Sequence, residues 1–180
     1  FPSKPEELSR RQFLTRNALA LSGLALSYAG GPAAAQCQGR NDSIRIGVIG
    51  TGSRGTGLIK LIGGIPELQV TACCDPIPEH LKNGLKQAAK GARAYTDYRK
   101  LLEDKNIDAV IIATPLYLHC PMAADALSAG KHVYLEKSMS YNIAEAIALE
   151  KKVRQSNLVF QVGYQYRYFG LYHKVKEVMA

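Results

Sequence analysis

From Ile44 onward, short apolar runs rich in β-branched residues alternate with longer stretches whose apolar positions recur every three or four residues. Ile44–Ile49, Leu68–Cys74, Asp108–Ala113, His132–Leu135 and Leu158–Val162 are nearly continuous in apolar character, as parallel strands covered on both faces must be. Ala92–Ala94 predicts a further short strand. Helical spacing places Leu58–Ile62 on a helix and predicts others over Pro78–Lys90, Asp97–Asp104, Pro121–Ala129 (stopped by Gly130) and Ile143–Ser156. Strand and helix alternating over about 120 residues give an α/β fold, a doubly wound parallel sheet.

The first strand runs directly into a glycine cluster, Gly50-Thr51-Gly52-Ser53-Arg54-Gly55. This is G-x-G-x-x-G opening a helix: Gly50 for the tight turn, Gly52 for close approach of backbone to a pyrophosphate, Gly55 for packing of helix on strand. The second strand ends at Asp75, twenty residues beyond Gly55, where a Rossmann fingerprint puts the acid that accepts the adenosine ribose hydroxyls. A carboxylate there disfavours a 2′-phosphate and points to NAD, with NADP the less favoured nucleotide; Arg54 in the loop pulls the other way. Asp75 also suits a turn or helix cap beside Pro76 and Pro78.

Ligands of such sheets lie outside the carboxyl ends of the strands. Thr114-Pro115 would bring backbone and a rigid turn to a dinucleotide, or be a turn that the chain needs in any case. His119 falls in the first turn of the next helix, either near the nicotinamide or as a satisfied histidine. Lys137 leaves a strand beside Glu136; covered by cofactor it can act as proton acceptor or orienting donor, and otherwise it is a solvated strand-end lysine. In Gly163–Phe169, alternation of period two would set Tyr164, Tyr166 and Tyr168 on one face and Gln165 and Arg167, toward substrate, on the other.

Upstream, Ser9-Arg10-Arg11-Gln12-Phe13-Leu14 precedes an apolar stretch from Ala18 to Ala29, then Gly30-Gly31-Pro32 and Ala33–Ala35. Twelve helical residues span only about 18 Å, too short for a bilayer core of about 30 Å. Residues 1–35 resemble a twin-arginine signal with cleavage after Ala35, which implies export of the folded protein to a periplasmic or other extracytoplasmic space and membrane contact only in transit. Residues 36–43 read as a linker. Cys37 invites a lipoprotein reading, but Gln36 stands where a small residue is wanted.

Composition narrows the partners. The net charge of +8 has no block of five or six basic residues, so nucleic acid is not indicated. Cys37, Cys73, Cys74 and Cys120 have neither CxxC spacing nor a histidine cluster, so no metal is expected. Cys73 and Cys74, neighbours on one strand, point to opposite faces and read as small core residues.

Together with the glycine loop, three segments carry a resemblance over roughly residues 44–170. They are Ala113-Thr114-Pro115-Leu116-Tyr117-Leu118-His119, then Ala129-Gly130-Lys131-His132-Val133 leading to Glu136-Lys137, and Asn142-Ile143-Ala144-Glu145-Ala146. They are similar to the glucose-fructose oxidoreductase, inositol dehydrogenase and MocA family. The resemblance implies an NAD(P)-binding domain over 44–162, the start of a second α/β substrate domain over 163–180, and oligomerisation through that second domain. It assigns Gly50, Gly52 and Gly55 to the pyrophosphate, Asp75 to the ribose, and Thr114, Pro115 and His119 to the nicotinamide side. Glu136 and Lys137 go to the nicotinamide ribose and the substrate hydroxyl, with Lys137 catalytic. The chain departs from the pattern at Ser138, where the family has proline, and at Leu116, where asparagine is common.

The expected activity is oxidation of a sugar or cyclitol hydroxyl by a nicotinamide-dependent oxidoreductase. An exported enzyme meets no obvious pool of NAD, so the nucleotide should be tightly held and recycled within each turnover. Two alternatives stay open: an NAD-dependent glycosidase that oxidises the sugar transiently, and a nucleotide-binding fragment without turnover.

Overall fold

Six parallel strands form one sheet in the order β3-β2-β1-β4-β5-β6, in a computed structural model that describes residues 43–179. The strands are β1 (Ile44–Ile49), β2 (Leu68–Cys74), β3 (Arg93–Tyr95), β4 (Ala109–Ile112), β5 (His132–Glu136) and β6 (Phe160–Gly163). The helices are α1 (Ser53–Ile62), α2 (Pro78–Gln87), α3 (Tyr98–Glu103), α4 (His119–Ser128), α5 (Ile143–Gln155) and α6 (Gly170–Met179). The order reverses between β1 and β4, so the carboxyl ends of these two strands flank the crevice in which a doubly wound sheet takes its ligand.

Alternation along each strand divides the core in two. Ile46, Val48, Val70, Cys73 and Ile111 pack with Ile59 and Ile62 of α1. Ile49, Cys74, Val110, Ile112 and Leu135 pack on the other face with Leu101, Ala123, Ala126 and Leu149, from the helices α3, α4 and α5. Cys73 and Cys74 thus fall in different clusters, as period two requires, and burial pushes both thiols up to about 12. An apolar hollow of about 510 Å³ lies on the α1 face over β4 to β6 and includes Ile111 and Tyr134.

Local chemistry sets the helix ends. Asp97 caps α3 by accepting the Arg99 N–H (3.0 Å), Asn142 caps α5 by accepting the Glu145 N–H (2.9 Å), and Pro78 occupies the first turn of α2, where its missing N–H is not needed. At the amino edge of the sheet, Arg45 donates Nε (2.9 Å) and Nη2 (2.6 Å) to Asp108, fastening β1 to β4. Lys131, buried just before β5, donates Nζ to the carbonyls of Asp104 and Ile107, both at 2.8 Å.

The structure shifts several element bounds by one or two residues and corrects the sequence reading more substantially at two helices and one segment. Helix α4 starts at His119, in keeping with the placement of that histidine in the first turn and two residues before Pro121, and α2 stops at Gln87, before Lys90. Gln165–Tyr168 is a 3-10 turn leading into α6, so Tyr164, Tyr166 and Tyr168 do not share one face of a strand with Gln165 and Arg167 on the other. Tyr166 instead stacks on Tyr172 of α6, with ring centroids 5.7 Å apart. The expected signal peptide (1–35) and most of the linker (36–43) lie outside the described residues.

Candidate nucleotide-binding site

The turn after β1 is built so that only glycine fits at two positions. Gly50 has φ +87°, and a Cβ there would stand 2.7 Å from the Ala113 carbonyl oxygen. At Gly55 a Cβ would stand 1.9 Å from the Gly50 carbonyl oxygen, so α1 packs on the turn with no room for a side chain. Over Gly52, by contrast, the nearest atoms to such a Cβ belong to the His80 ring, at 3.8 Å. The loop is therefore closed toward the protein and open above Gly52, the shape that lets a backbone meet a pyrophosphate.

Asp75 anchors this loop. Its buried carboxylate accepts the Thr51 N–H on Oδ2 (2.8 Å) and the Ile77 N–H on Oδ1 (2.9 Å), with His80 Nδ1 3.6 Å from Oδ2. Asp75 thus closes the turn before α2 rather than capping the helix, whose first residue follows Ile77, and both oxygens keep lone pairs for a ribose hydroxyl. Thr51 is turned inward: its N–H goes to Asp75 and its carbonyl accepts the Thr56 hydroxyl (2.7 Å), so it shapes the loop and its N–H is not free for a ligand. Ser53 opens α1 and is exposed.

Arg54 and Glu136, 82 residues apart, form a clasp across the crevice. Arg54 donates Nε (2.7 Å) and approaches through Nη2 (2.6 Å) to Oε1 of Glu136, whose side chain is nearly buried, and the pairing raises the guanidinium above its ordinary value. Arg54 is thereby tied to the β5 side of the crevice, with β1 and β4 between it and the β2 end that carries Asp75. Oε2 of Glu136 accepts the Lys137 N–H (3.1 Å). Lys137 itself stands exposed, so the described residues do not supply the burial expected around it.

His119 is buried and faces two carbonyls: Nδ1 lies 2.7 Å from Ser138 O and Nε2 2.9 Å from Thr114 O. Its ring is enclosed between the β4 and β5 loops, bracing the turn that follows Lys137. Ser138 lacks the ring constraint of proline, but its carbonyl is held. Thr114 contributes a buried Oγ1 with no partner beside the crevice, and Pro115 is exposed at the start of a 3-10 turn. Gln165 and Arg167 are exposed beyond β6. The structure therefore brings the glycine loop, Asp75, Thr114, Glu136 and Lys137 to one edge. The opening over Gly52 and the orphaned Thr114 hydroxyl fit a dinucleotide: Gly52 and Ser53 at the pyrophosphate, Asp75 at one ribose, Thr114 and Glu136 toward the nicotinamide.

Sequence reasoning missed the links that depend on distant contacts: Arg54 to Glu136, His119 to Ser138, and Gly84 to Thr51. Gly84 lies inside α2, and a Cβ there would stand 2.7 Å from Thr51 Cβ. A glycine within an amphipathic helix was the available signal.

Comparison with known proteins agrees with this geometry. Residues 44–164 match the model of an oxidoreductase family described as having an NAD-binding Rossmann fold. The chain belongs to the Gfo/Idh/MocA family. It is 38% identical over 113 residues to a glycosyl hydrolase family 109 protein of Shewanella amazonensis, covering 57% of this chain and 24% of that one. It is 30% identical over 133 residues to the uncharacterized oxidoreductase YrbE of Bacillus subtilis, covering 74% and 39%. Scyllo-inositol dehydrogenase from Lactobacillus casei, solved with NAD(H) and scyllo-inositol, superimposes with a TM-score of 0.71 at 28% identity, covering 77% of this chain and 41% of that one. KijD10, a 3-ketoreductase from Actinomadura kijaniata solved with NADP and TDP-benzene, gives 0.70 at 26% identity, covering 77% and 43%. The chain spans about a quarter to two-fifths of the length of these members of the family and its fold.

Proposed function

We propose that this chain carries the nucleotide-binding half of an oxidoreductase that acts on a hydroxyl of a sugar or cyclitol. The observation that carries the reading is the cradle over Gly52, closed below by Gly50 and Gly55, with Lys137 emerging on the same edge. When bound, a nicotinamide supplies a hydride acceptor beside these residues. Lys137 takes the proton of the substrate hydroxyl as the carbonyl forms, and returns it in the reverse direction. Coverage by nucleotide and substrate is what would turn its exposed ammonium into an acceptor. Glu136, pinned by Arg54 and bonded to the Lys137 N–H, fixes where that lysine starts. Gln165 and Arg167, just beyond β6, are the proposed substrate contacts from this part of the chain, and Asp75 inclines the site to NAD.

The Arg10-Arg11 segment supports export by the twin-arginine route, and with it a nucleotide loaded before export and recycled within each turnover. A second reading, a glycosidase that oxidises its sugar transiently and then restores it, is favoured by the identity to the glycosyl hydrolase family 109 protein. Denaturing the purified protein and identifying released nucleotide by mass spectrometry tests the cofactor claim. Released NAD(H) is expected; protein that carries none and binds added NAD only weakly refutes tight retention. Products from sugars and aryl glycosides then separate the two readings: oxidised or reduced sugar supports the first, and a freed phenol with unchanged sugar oxidation level the second.

A further inference from the structure

Tyr134 stands two residues before Glu136 on β5, so the two side chains leave the same face of the sheet, the face on which α1 packs. Arg54 reaches both. It grips Glu136 through Nε and Nη2, and its guanidinium also meets the Tyr134 hydroxyl. Burial above all, and the charge of Glu136, raise the phenol above its ordinary value while Arg54 pulls the other way, so the hydroxyl stays protonated at neutral pH. On its other side the ring meets β6. Gly163 pairs with Glu136 across β5 and β6, and a Cβ on it would lie 2.6 Å from the Tyr134 hydroxyl oxygen and 2.9 Å from Cζ. The backbone of Gly163 is ordinary strand, so the tyrosine ring, not the backbone conformation, demands glycine there. One side chain thus bridges the arginine that pins the Glu136–Lys137 corner and the strand end from which Gln165 and Arg167 depart.

We propose that Tyr134 is a positioning residue for the reaction: laid over Gly163 with its hydroxyl on Arg54, it keeps the substrate segment in register with Glu136 and Lys137. The inference rests on the oxidoreductase reading above and adds to it a residue that acts through Arg54 and Gly163. Without the hydroxyl, Arg54 is held by Glu136 alone, and the carboxylate at the nicotinamide ribose loses its fixed orientation. The Asp75 end, separated from β5 by β1 and β4, should be untouched.

The test is calorimetric titration of the full chain with NAD and with ADP, which keeps the adenosine and pyrophosphate but lacks the second ribose and the nicotinamide. Tyr134→Phe is expected to weaken NAD by roughly three- to tenfold and to leave ADP within about twofold of the parent. Gly163→Ala, whose Cβ displaces the ring, should give the same selective loss, and little further loss when added to Tyr134→Val, where the contact is gone. An unmoved NAD affinity in Tyr134→Phe, equal weakening of NAD and ADP, or a loss from Gly163→Ala that is the same with and without the tyrosine overturns the positioning role and leaves the dinucleotide reading standing. Binding of neither NAD nor ADP by the parent removes that reading and the inference with it. Gly163→Ala reads the contact from the β6 side, so the test stays open should a Tyr134 variant fail to fold.

Discussion

Lys131→Met should lower the stability of the domain substantially while leaving nucleotide binding intact. Lys131 is 7% exposed and its Nζ donates to two carbonyls at 2.8 Å. The Asp104 carbonyl keeps a weaker bond from the Ile107 N–H (3.3 Å), so most of the loss falls on the Ile107 carbonyl. A lost charge-assisted hydrogen bond is worth about 1.5–3 kcal/mol and a stranded carbonyl about 1–3 kcal/mol, against which Met relieves the cost of burying an ammonium, giving about 2–4 kcal/mol net. That cost is visible in the lowered pKa of Lys131, for which burial is the leading cause. For a domain of about 140 residues, with an unfolding entropy of about 2.1 cal/mol/K per residue, the loss corresponds to a Tm lower by about 7–14 °C. Circular dichroism melts of parent and variant measure it, and urea unfolding should show a lower midpoint with an unchanged slope. Because its folded pKa is depressed, the titration of Lys131 stabilises the fold above its unfolded value, and that contribution is lost as pH falls through the folded value. The parent should therefore gain on the variant as pH rises toward about 10.4. A Tm drop below about 3 °C, or lost nucleotide binding with Tm unchanged, would refute the placement of Lys131 as a fastening at the amino edge of the sheet.

Two further substitutions probe the site, one the acid stability of the fold, and a labelling experiment the core. Gly84→Ala gains about 1 kcal/mol in helix propensity but drives a Cβ to within 2.7 Å of Thr51 Cβ, an overpacking of about 1–3 kcal/mol that shifts the N–H held by Asp75. Nucleotide affinity should fall by about tenfold, and calorimetry showing no change would reject the Thr51 contact. Arg54→Met leaves the nearly buried Glu136 carboxylate without its cation; with Arg54 about half exposed the loss should sit at about 1–2 kcal/mol, read as a shift in urea midpoint. Burial opposes ionisation of Asp104, but the Asn106 N–H, the Tyr95 hydroxyl and Arg93 together hold its carboxyl below the usual range. Its contribution to stability is present above about pH 4 and lost as pH falls through the lowered value, so acid unfolding of Asp104→Asn should depend less on pH between about 4 and 2. Cys73 and Cys74, raised to about 12 by burial, should resist iodoacetamide at pH 8 until urea unfolds the domain; peptide mapping that finds either one labelled in the native state contradicts their burial.

Legibility in the sequence followed the range of the interaction. Parallel strands covered on both faces must be apolar throughout, so Asp108–Ala113 and Leu68–Cys74 announced themselves, and the spacing of Gly50, Gly52, Gly55 and Asp75 records a turn whose sterics are local. The Tyr164–Tyr168 segment misled because alternation of large and polar residues is also compatible with a 3-10 turn whose side chains are all exposed. What lay beyond reach was pairing across the fold. Nothing near Arg54 announces Glu136, and nothing in Thr-Pro-Leu-Tyr-Leu-His says that the histidine will meet the carbonyls of Ser138 and Thr114. His80 was likewise unremarkable until the α2 helix carried it against Asp75.

The clasp of Arg54 on Glu136 and the seat of His119 between the two carbonyls also bear on the thermodynamics of ligand capture. Loops from three separate strand ends are locked to one another before any ligand arrives, by side chains whose partners lie up to 82 residues away. Their conformational entropy is surrendered when the chain folds, not when a ligand binds. This edge of the sheet thus meets its ligand as a preset mould: affinity is decided by how well the ligand matches the shape, and a mutation that loosens a brace weakens binding without touching the ligand at all.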